Sequence, residues 1–148
     1  MVVVQALRSQ VGAIITSTST YQADNPSLLP RIDGAATPLR IVMGKRPIQA
    51  AGFHHIQSQE FGELIDFLNS EGINHALIEA GGTFLSALFR ADLIDELVIY
   101  HAPKILGSGT PWVENLRISA LSDAITLECL STSQIGHDIK THYRIVRK

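Results

Sequence analysis

A length of 148 residues predicts one domain, residues 1–148, that can bury a core without disulfides. Twelve basic and fourteen acidic residues give a net charge of −2, which argues against a nucleic-acid-binding surface. The chain has one cysteine, Cys129, which excludes an intrachain disulfide framework. It has no apolar run long enough to span a membrane. We therefore expect a cytoplasmic protein.

The first half of the chain alternates predicted helices and strands. Apolar residues recur with helical spacing in the segments 2–10 and 58–71, and the latter has Ser58 as its predicted N-cap and Gly72 as its C-terminal stop. The hydroxyl-rich segment 17–23 predicts a short helical turn. Strands are predicted over 12–16, 39–43 and 53–57.

The second half continues this pattern and then changes. A strand over 74–79, a helix over 83–91 and a strand over 96–102 precede an irregular stretch over 103–116. The segments 125–132 and 139–146 then predict an antiparallel hairpin around Gly136. Cys129 lies in an apolar run there and is expected to be a small core residue. We therefore predict an α/β fold whose mixed sheet is parallel at first and antiparallel at one edge.

Two glycines, Gly81 and Gly82, follow the strand over 74–79 and precede a helix that starts near Thr83. A strand that ends this way can present unpaired backbone N–H groups to a phosphate, and the helix dipole adds to the attraction. The same residues also suit a plain strand-to-helix turn. The motif is not the six-residue fingerprint of an ordinary dinucleotide-binding domain.

Three charged residues are candidates for binding a polar ligand. Glu79 is expected at the carboxyl end of its strand, where ligands bind in open α/β sheets. Arg8 and Arg31 could clamp a sugar phosphate through bidentate contacts. Each of the three also fits a solvated surface position. The six histidines lack a metal-ligand spacing, so we expect no metal site.

Several segments together resemble the reductase domain of riboflavin biosynthesis, 5-amino-6-(5-phosphoribosylamino)uracil reductase. This domain is often the C-terminal half of a bifunctional deaminase–reductase, and its fold is similar to that of dihydrofolate reductase. The resemblance runs from about Val4 to Arg147. The segments and the residue that carry it are Leu7–Gln10, Gly12–Thr16, Thr20–Leu28, Arg31, Ile78–Ala87 and Leu93–Gly107.

The resemblance implies an oxidoreductase that uses NADPH to reduce the ribosyl group of a phosphorylated pyrimidine to a ribityl chain. It also implies a homodimer. The residues implied for cofactor binding are Thr20, Asp24, Gly81, Gly82, Thr83, Phe84, Leu85, Ser86 and Ala87. Those implied for substrate binding are Arg8, Leu28, Arg31 and Glu79. It assigns no proton donor.

The sequence departs from the family in three places. The strand that usually precedes the first helix, and the zinc-binding deaminase domain, have no counterpart in it. Gly44 and Lys45 stand where many members have an acidic residue and a serine. Two alternatives to an active reductase therefore remain: a shortened dimeric remnant without catalytic activity, or another pteridine or pyrimidine reductase of the dihydrofolate-reductase type.

Overall fold

The computed structural model describes residues 2–147 and contains two compact units, of which the first ends at Gly81 and the second begins at Gly82. The prediction of a single domain over residues 1–148 stays a prediction. None of the helices within residues 2–147 has the length and apolar character that crossing a bilayer requires.

The first unit is a parallel sheet with three helices. Its elements are α1 (Val2–Arg8), β1 (Ala13–Ser17), α2 (Thr18–Asp24), β2 (Leu39–Met43), β3 (His54–Ile56), α3 (Phe61–Ser70) and β4 (Ala76–Ile78). The strand order is β3-β2-β1-β4. All five residues of β1 are buried, as expected for a central parallel strand covered on both faces.

The helix boundaries of this unit follow local hydrogen bonds. α3 begins at Phe61 with Glu60 as its N-cap, so the prediction that Ser58 caps it is wrong. The Ser58 hydroxyl instead accepts from the Glu60 N–H at 3.1 Å and donates to Glu63 at 2.7 Å, which closes the turn before the helix. Gly72 ends the helix as predicted, because its φ of 67° is the left-handed conformation that such a stop requires.

The second unit is an antiparallel sheet with one helix. Its elements are α4 (Gly82–Arg90), β5 (Glu96–His101), a 3₁₀ turn (Leu121–Asp123), β6 (Thr126–Ile135) and β7 (Asp138–Val146). The strand order is β5-β7-β6. Ile135 pairs with Asp138 across a two-residue turn in which Gly136 has a φ of 61°, which is typical of a tight hairpin.

Two expectations about the strands differ from the structure. The strands form two hydrogen-bonded sheets, one parallel and one antiparallel, because no strand among residues 2–147 pairs with both β4 and β5. Cys129 is exposed on the edge strand β6, so its prediction as a core residue is wrong. The α/β class, with a parallel sheet flanked by helices and a C-terminal antiparallel hairpin, is confirmed.

Candidate functional site

A cavity of about 590 Å³ lies in the first unit, among residues that follow the carboxyl ends of β1 and β4. This is the edge at which parallel α/β sheets bind ligands, and the volume suits a small organic molecule. Five of the predicted site residues line it. They are Thr20, Asp24, Leu28, Glu79 and Gly81.

One wall of the cavity is the start of α2, where a serine caps the helix. The Ser17 hydroxyl accepts from the Thr20 N–H at 3.1 Å. The Thr20 hydroxyl in turn accepts from the Gly81 N–H, also at 3.1 Å, so it ties the end of α2's first turn to the segment after β4. The expectation that Gly81 presents an unpaired N–H group is therefore wrong.

Glu79 also lines the cavity and is held by Arg8 in a bidentate ion pair. Arg8 Nε donates to Oε1 of Glu79 at 2.7 Å, and Nη2 donates to Oε2 at 2.6 Å. Only 13% of the Arg8 side chain and 25% of the Glu79 side chain are exposed. Hydrogen bonding to Glu79 raises the pKa of the Arg8 guanidinium, despite some desolvation.

This pairing fixes the direction of the Glu79 carboxylate but does not saturate it. A carboxylate offers about four acceptor positions, and Arg8 uses two of them. The remaining lone pairs of Glu79, which lines the cavity, can accept hydrogen bonds from a polyhydroxylated ligand. Arg8 contacts the cavity wall through Glu79 and is not itself a lining residue.

The segment from Leu28 to Arg31 carries the other two predicted substrate residues. Leu28 is 1% exposed, lines the cavity and has a φ of 52°. That left-handed conformation costs a non-glycine residue about 1–2 kcal/mol, so the surrounding contacts must hold it in place. Arg31 is exposed, and its guanidinium has no hydrogen-bond or ion-pair partner within residues 2–147.

Gln5 of α1 contacts the segment that carries two predicted substrate residues, and the sequence analysis did not single it out. Its side chain is nearly buried, and its Oε1 accepts from the Arg31 N–H at 2.7 Å. Arg8, one turn further along the same helix, donates from Nη1 to the Leu29 carbonyl at 3.2 Å. A polar glutamine among the apolar residues of a helix was the available signal, since buried amides need partners.

Asp24 is exposed at the last position of α2 and lines the cavity. The next residue, Asn25, adopts the left-handed conformation and donates its N–H to the Tyr21 carbonyl at 2.8 Å. The chain therefore turns sharply after Asp24, where α2 ends.

The remaining predicted cofactor residues form the first turns of α4 in the second unit. A Cβ on Gly82 would lie 2.5 Å from the Pro111 carbonyl oxygen, so packing within the protein already requires glycine there. The Thr83 hydroxyl donates to Glu114 at 2.9 Å, and the buried Ser86 hydroxyl accepts from the Glu114 N–H at 2.7 Å.

The backbone at this helix start keeps some donors. The N–H groups of Gly82 and Thr83 have no acceptor within residues 2–147, as is usual for the first turn of a helix. Three further predicted cofactor residues in this helix are half-buried: Phe84, Leu85 and Ala87.

Two buried hydroxyl oxygens lack a hydrogen-bond partner in the described part of the chain: Oγ1 of Thr16 in β1 and the phenol oxygen of Tyr100 in β5. Thr16 has no exposed surface. Burial raises the pKa of the Tyr100 phenol above its ordinary value of 10.0, because the charged form loses hydration.

Comparison with known proteins identifies relatives over nearly the whole chain. The family model described as the RibD C-terminal domain matches residues 2–141. The riboflavin biosynthesis protein RibD of Mycobacterium tuberculosis is 31% identical over 144 residues, which cover 89% of this chain and 42% of that protein. The 5-amino-6-(5-phosphoribosylamino)uracil reductase of Buchnera aphidicola is 34% identical over 102 residues, 68% of this chain and 49% of that one.

Solved structures give the same relationship. RibD of Acinetobacter baumannii superposes with a TM-score of 0.82 at 27% identity, covering 97% of this chain and 49% of that one. Dihydrofolate reductase of Enterococcus faecalis superposes with a TM-score of 0.63 at 14% identity, covering 95% and 79%. The predicted dihydrofolate-reductase-like fold is thus confirmed. The chain spans half the length, or less, of the curated RibD proteins of Mycobacterium tuberculosis and Escherichia coli.

Proposed function

The chain belongs to the RibD C-terminal domain family, and we propose that it reduces 5-amino-6-(5-phosphoribosylamino)uracil with NADPH in the cytoplasm. The product carries a ribityl chain in place of the ribosyl group. The observation that carries the proposal is the Glu79 carboxylate, which lines the cavity and is oriented by Arg8. Its free lone pairs suit the hydroxyl groups of a sugar.

In this proposal Arg31 binds the substrate phosphate. Its guanidinium is exposed and unpaired among the described residues, whereas that of Arg8 is occupied by Glu79. Leu28, which lines the same cavity and lies three residues before Arg31, packs against the substrate. Arg8 contributes by holding Glu79, because its two hydrogen bonds fix the direction of that carboxylate.

NADPH would supply the hydride when bound, and the donor set on this chain suits its polar groups. The hydroxyl of Thr20 and the carboxylate of Asp24 line the cavity of the first unit. In the second unit the N–H groups of Gly82 and Thr83 are the free donors of a helix start, which favours a phosphate. We propose that the N–H groups of Gly82 and Thr83 bind a cofactor phosphate, and that the residues Phe84, Leu85, Ser86 and Ala87 contribute by forming the helix that presents them.

The test is reduction of the substrate by the purified chain, followed as loss of NADPH absorbance. We expect the variant Arg31→Met to raise KM for the substrate about tenfold or more, because a charged hydrogen bond contributes about 1.5–3 kcal/mol. With the dephosphorylated substrate, wild type and variant should have equal KM. Arg117→Met, at another exposed arginine with no described partner, is the matched control.

Each failure of this assay has a distinct meaning. NADPH binding without turnover of the substrate would contradict the reductase proposal and favour a non-catalytic remnant. Displacement of the phosphorylated substrate by dihydrofolate would favour another reductase of the dihydrofolate-reductase type. An equal KM for Arg31→Met and wild type would remove Arg31 from the phosphate-binding role.

We also propose that the chain functions as a homodimer. Large apolar side chains in the second unit support this, because exposed apolar surface often marks an interface: Ile105 is 99% exposed, and Leu121 is 92% exposed. Light scattering coupled to size-exclusion chromatography should give about twice the mass of one chain. A mass equal to one chain at micromolar concentration would contradict the dimer.

A further inference from the structure

We propose that Gln5 is a positioning residue for the substrate-binding segment Leu28–Arg31, and that it acts together with Arg8 on the same face of α1. The inference deepens the proposed function and rests on it for the identity of the substrate. Gln5 contacts neither cofactor nor substrate in this proposal. It acts through the backbone of Arg31, which its amide oxygen holds at 2.7 Å.

The argument starts from the backbone of Leu28. A leucine with a φ of 52° is held against its own preference, so flanking contacts must fix the segment. Burial of its side chain supplies one contact. Two come from α1, since Gln5 accepts from the Arg31 N–H and Arg8 donates to the Leu29 carbonyl at 3.2 Å. On the other side of Leu28, Arg40 donates to the Ser27 carbonyl at 3.0 Å.

These contacts link both parts of the substrate site to one helix. Arg8 orients the Glu79 carboxylate with two of its N–H groups and holds the Leu29 carbonyl with a third. Gln5, three residues earlier on α1, fixes where the backbone of Arg31 emerges. The Arg31 backbone N–H is held by Gln5, while the Arg31 side chain remains free to bind a phosphate. Loss of the Gln5 oxygen should therefore loosen the segment without removing any ligand contact.

The test compares Gln5→Met, which keeps the length of the side chain but removes the amide oxygen, with Gln5→Glu, which retains an acceptor oxygen. Gln10→Met, at an exposed glutamine just after the same helix, is the control. The first measurement is hydrogen exchange of the Arg31 amide by NMR. We expect about fivefold to tenfold faster exchange in Gln5→Met, as loss of one net hydrogen bond predicts, and partial recovery in Gln5→Glu.

The second measurement is binding of two probes, ribose 5-phosphate and NADPH. For Gln5→Met we expect the dissociation constant of ribose 5-phosphate to rise about tenfold and that of NADPH to change less than twofold. The assay with the full substrate should show a raised KM and a nearly constant kcat, with recovery in Gln5→Glu. A purely structural role would weaken both probes and lower kcat as well.

The outcomes separate this inference from the proposed function. If wild type does not reduce the pyrimidine but Gln5→Met still exchanges Arg31 faster and loses ribose 5-phosphate selectively, the function falls and the positioning role stands. Unchanged exchange and unchanged ribose 5-phosphate binding in a folded Gln5→Met would overturn the role of Gln5. If Gln5→Met fails to fold, the folded Gln5→Glu variant decides. Faster exchange of its Arg31 amide together with a wild-type KM would also overturn the role of Gln5, because the backbone would then be looser without any effect on substrate binding.

Discussion

The ion pair between Arg8 and Glu79 should make a measurable contribution to the free energy of unfolding. A double-mutant cycle tests this with Arg8→Met, Glu79→Gln and the double variant. The pair joins residues 71 positions apart in the sequence, and both partners are largely buried. Each single variant removes one charge of the pair and leaves the other uncompensated, whereas the double variant removes both charges.

The expected size follows from the geometry of the pair. Breaking a fully buried pair on one side costs about 3–5 kcal/mol. Glu79 keeps a quarter of its side chain exposed, so hydration of the remaining charge reduces this cost. We expect each single variant to lose about 2–3 kcal/mol and the coupling energy to be about 2 kcal/mol, as for two charge-assisted hydrogen bonds discounted for exposure.

The pH dependence on the basic side has a defined sign. Because the pKa of Arg8 is raised on folding, its contribution is fully present below the ordinary pKa of an arginine and is lost only at more alkaline pH. The coupling energy should therefore be the same at about pH 7 and about pH 9, well below that range.

Urea unfolding followed by circular dichroism gives the four free energies. The control cycle uses Arg144→Met and Glu128→Gln, an exposed pair at 3.8 Å whose coupling should stay below about 0.5 kcal/mol. A coupling energy for Arg8 and Glu79 no larger than that of the control pair would refute the view that this contact holds the wall of the cavity.

Three further substitutions test single features of the structure. Thr16→Val should raise the free energy of unfolding by about 1 kcal/mol in urea, since the hydroxyl is buried without a described partner, and a loss of stability would contradict this. The raised pKa of the buried Tyr100 phenol means that this group ionises in the unfolded chain at a lower pH than in the folded protein, so the free energy of unfolding of the wild type should fall above about pH 10. Tyr100→Phe should remove this fall, and an unchanged alkaline profile would contradict the prediction. Gly82→Ala should lower the free energy of unfolding by about 1–3 kcal/mol, measured by thermal unfolding, because the added methyl group would clash with the Pro111 carbonyl oxygen. Gly109→Ala, which has open space around it, is the control and should leave stability unchanged. Equal melting temperatures for the two variants would show that the Pro111 contact relaxes without cost.

The buried strands could be predicted from the sequence because local signals enclose them. The predicted bounds 39–43 agree with the structure, since Pro38 precedes that apolar run and Gly44 follows it. The start of α3 was two to three residues off, because Ser58 uses its hydroxyl for a turn that resembles a cap in sequence. Cys129 was misplaced because alternation along a strand does not reveal whether a sheet face or edge is covered.

The candidate site could be predicted only in part. Glu79 and Gly81 were recognisable from their position after a strand, and both line the cavity. That Arg8 pairs with Glu79, and that Gln5 holds the backbone of Arg31, depend on contacts between segments distant in sequence. A single sequence contains no information on such pairs beyond residue type, which explains why Gln5 was missed.

The exposed position of Cys129 on β6 has a practical consequence for work on this protein. It is the one thiol in the chain, so a maleimide dye would attach at a single known place without any engineering. A fluorophore there reports on melting of the antiparallel unit. During purification without reductant, dissolved oxygen would oxidise the Cys129 thiols of two molecules to a disulfide that joins their edge strands.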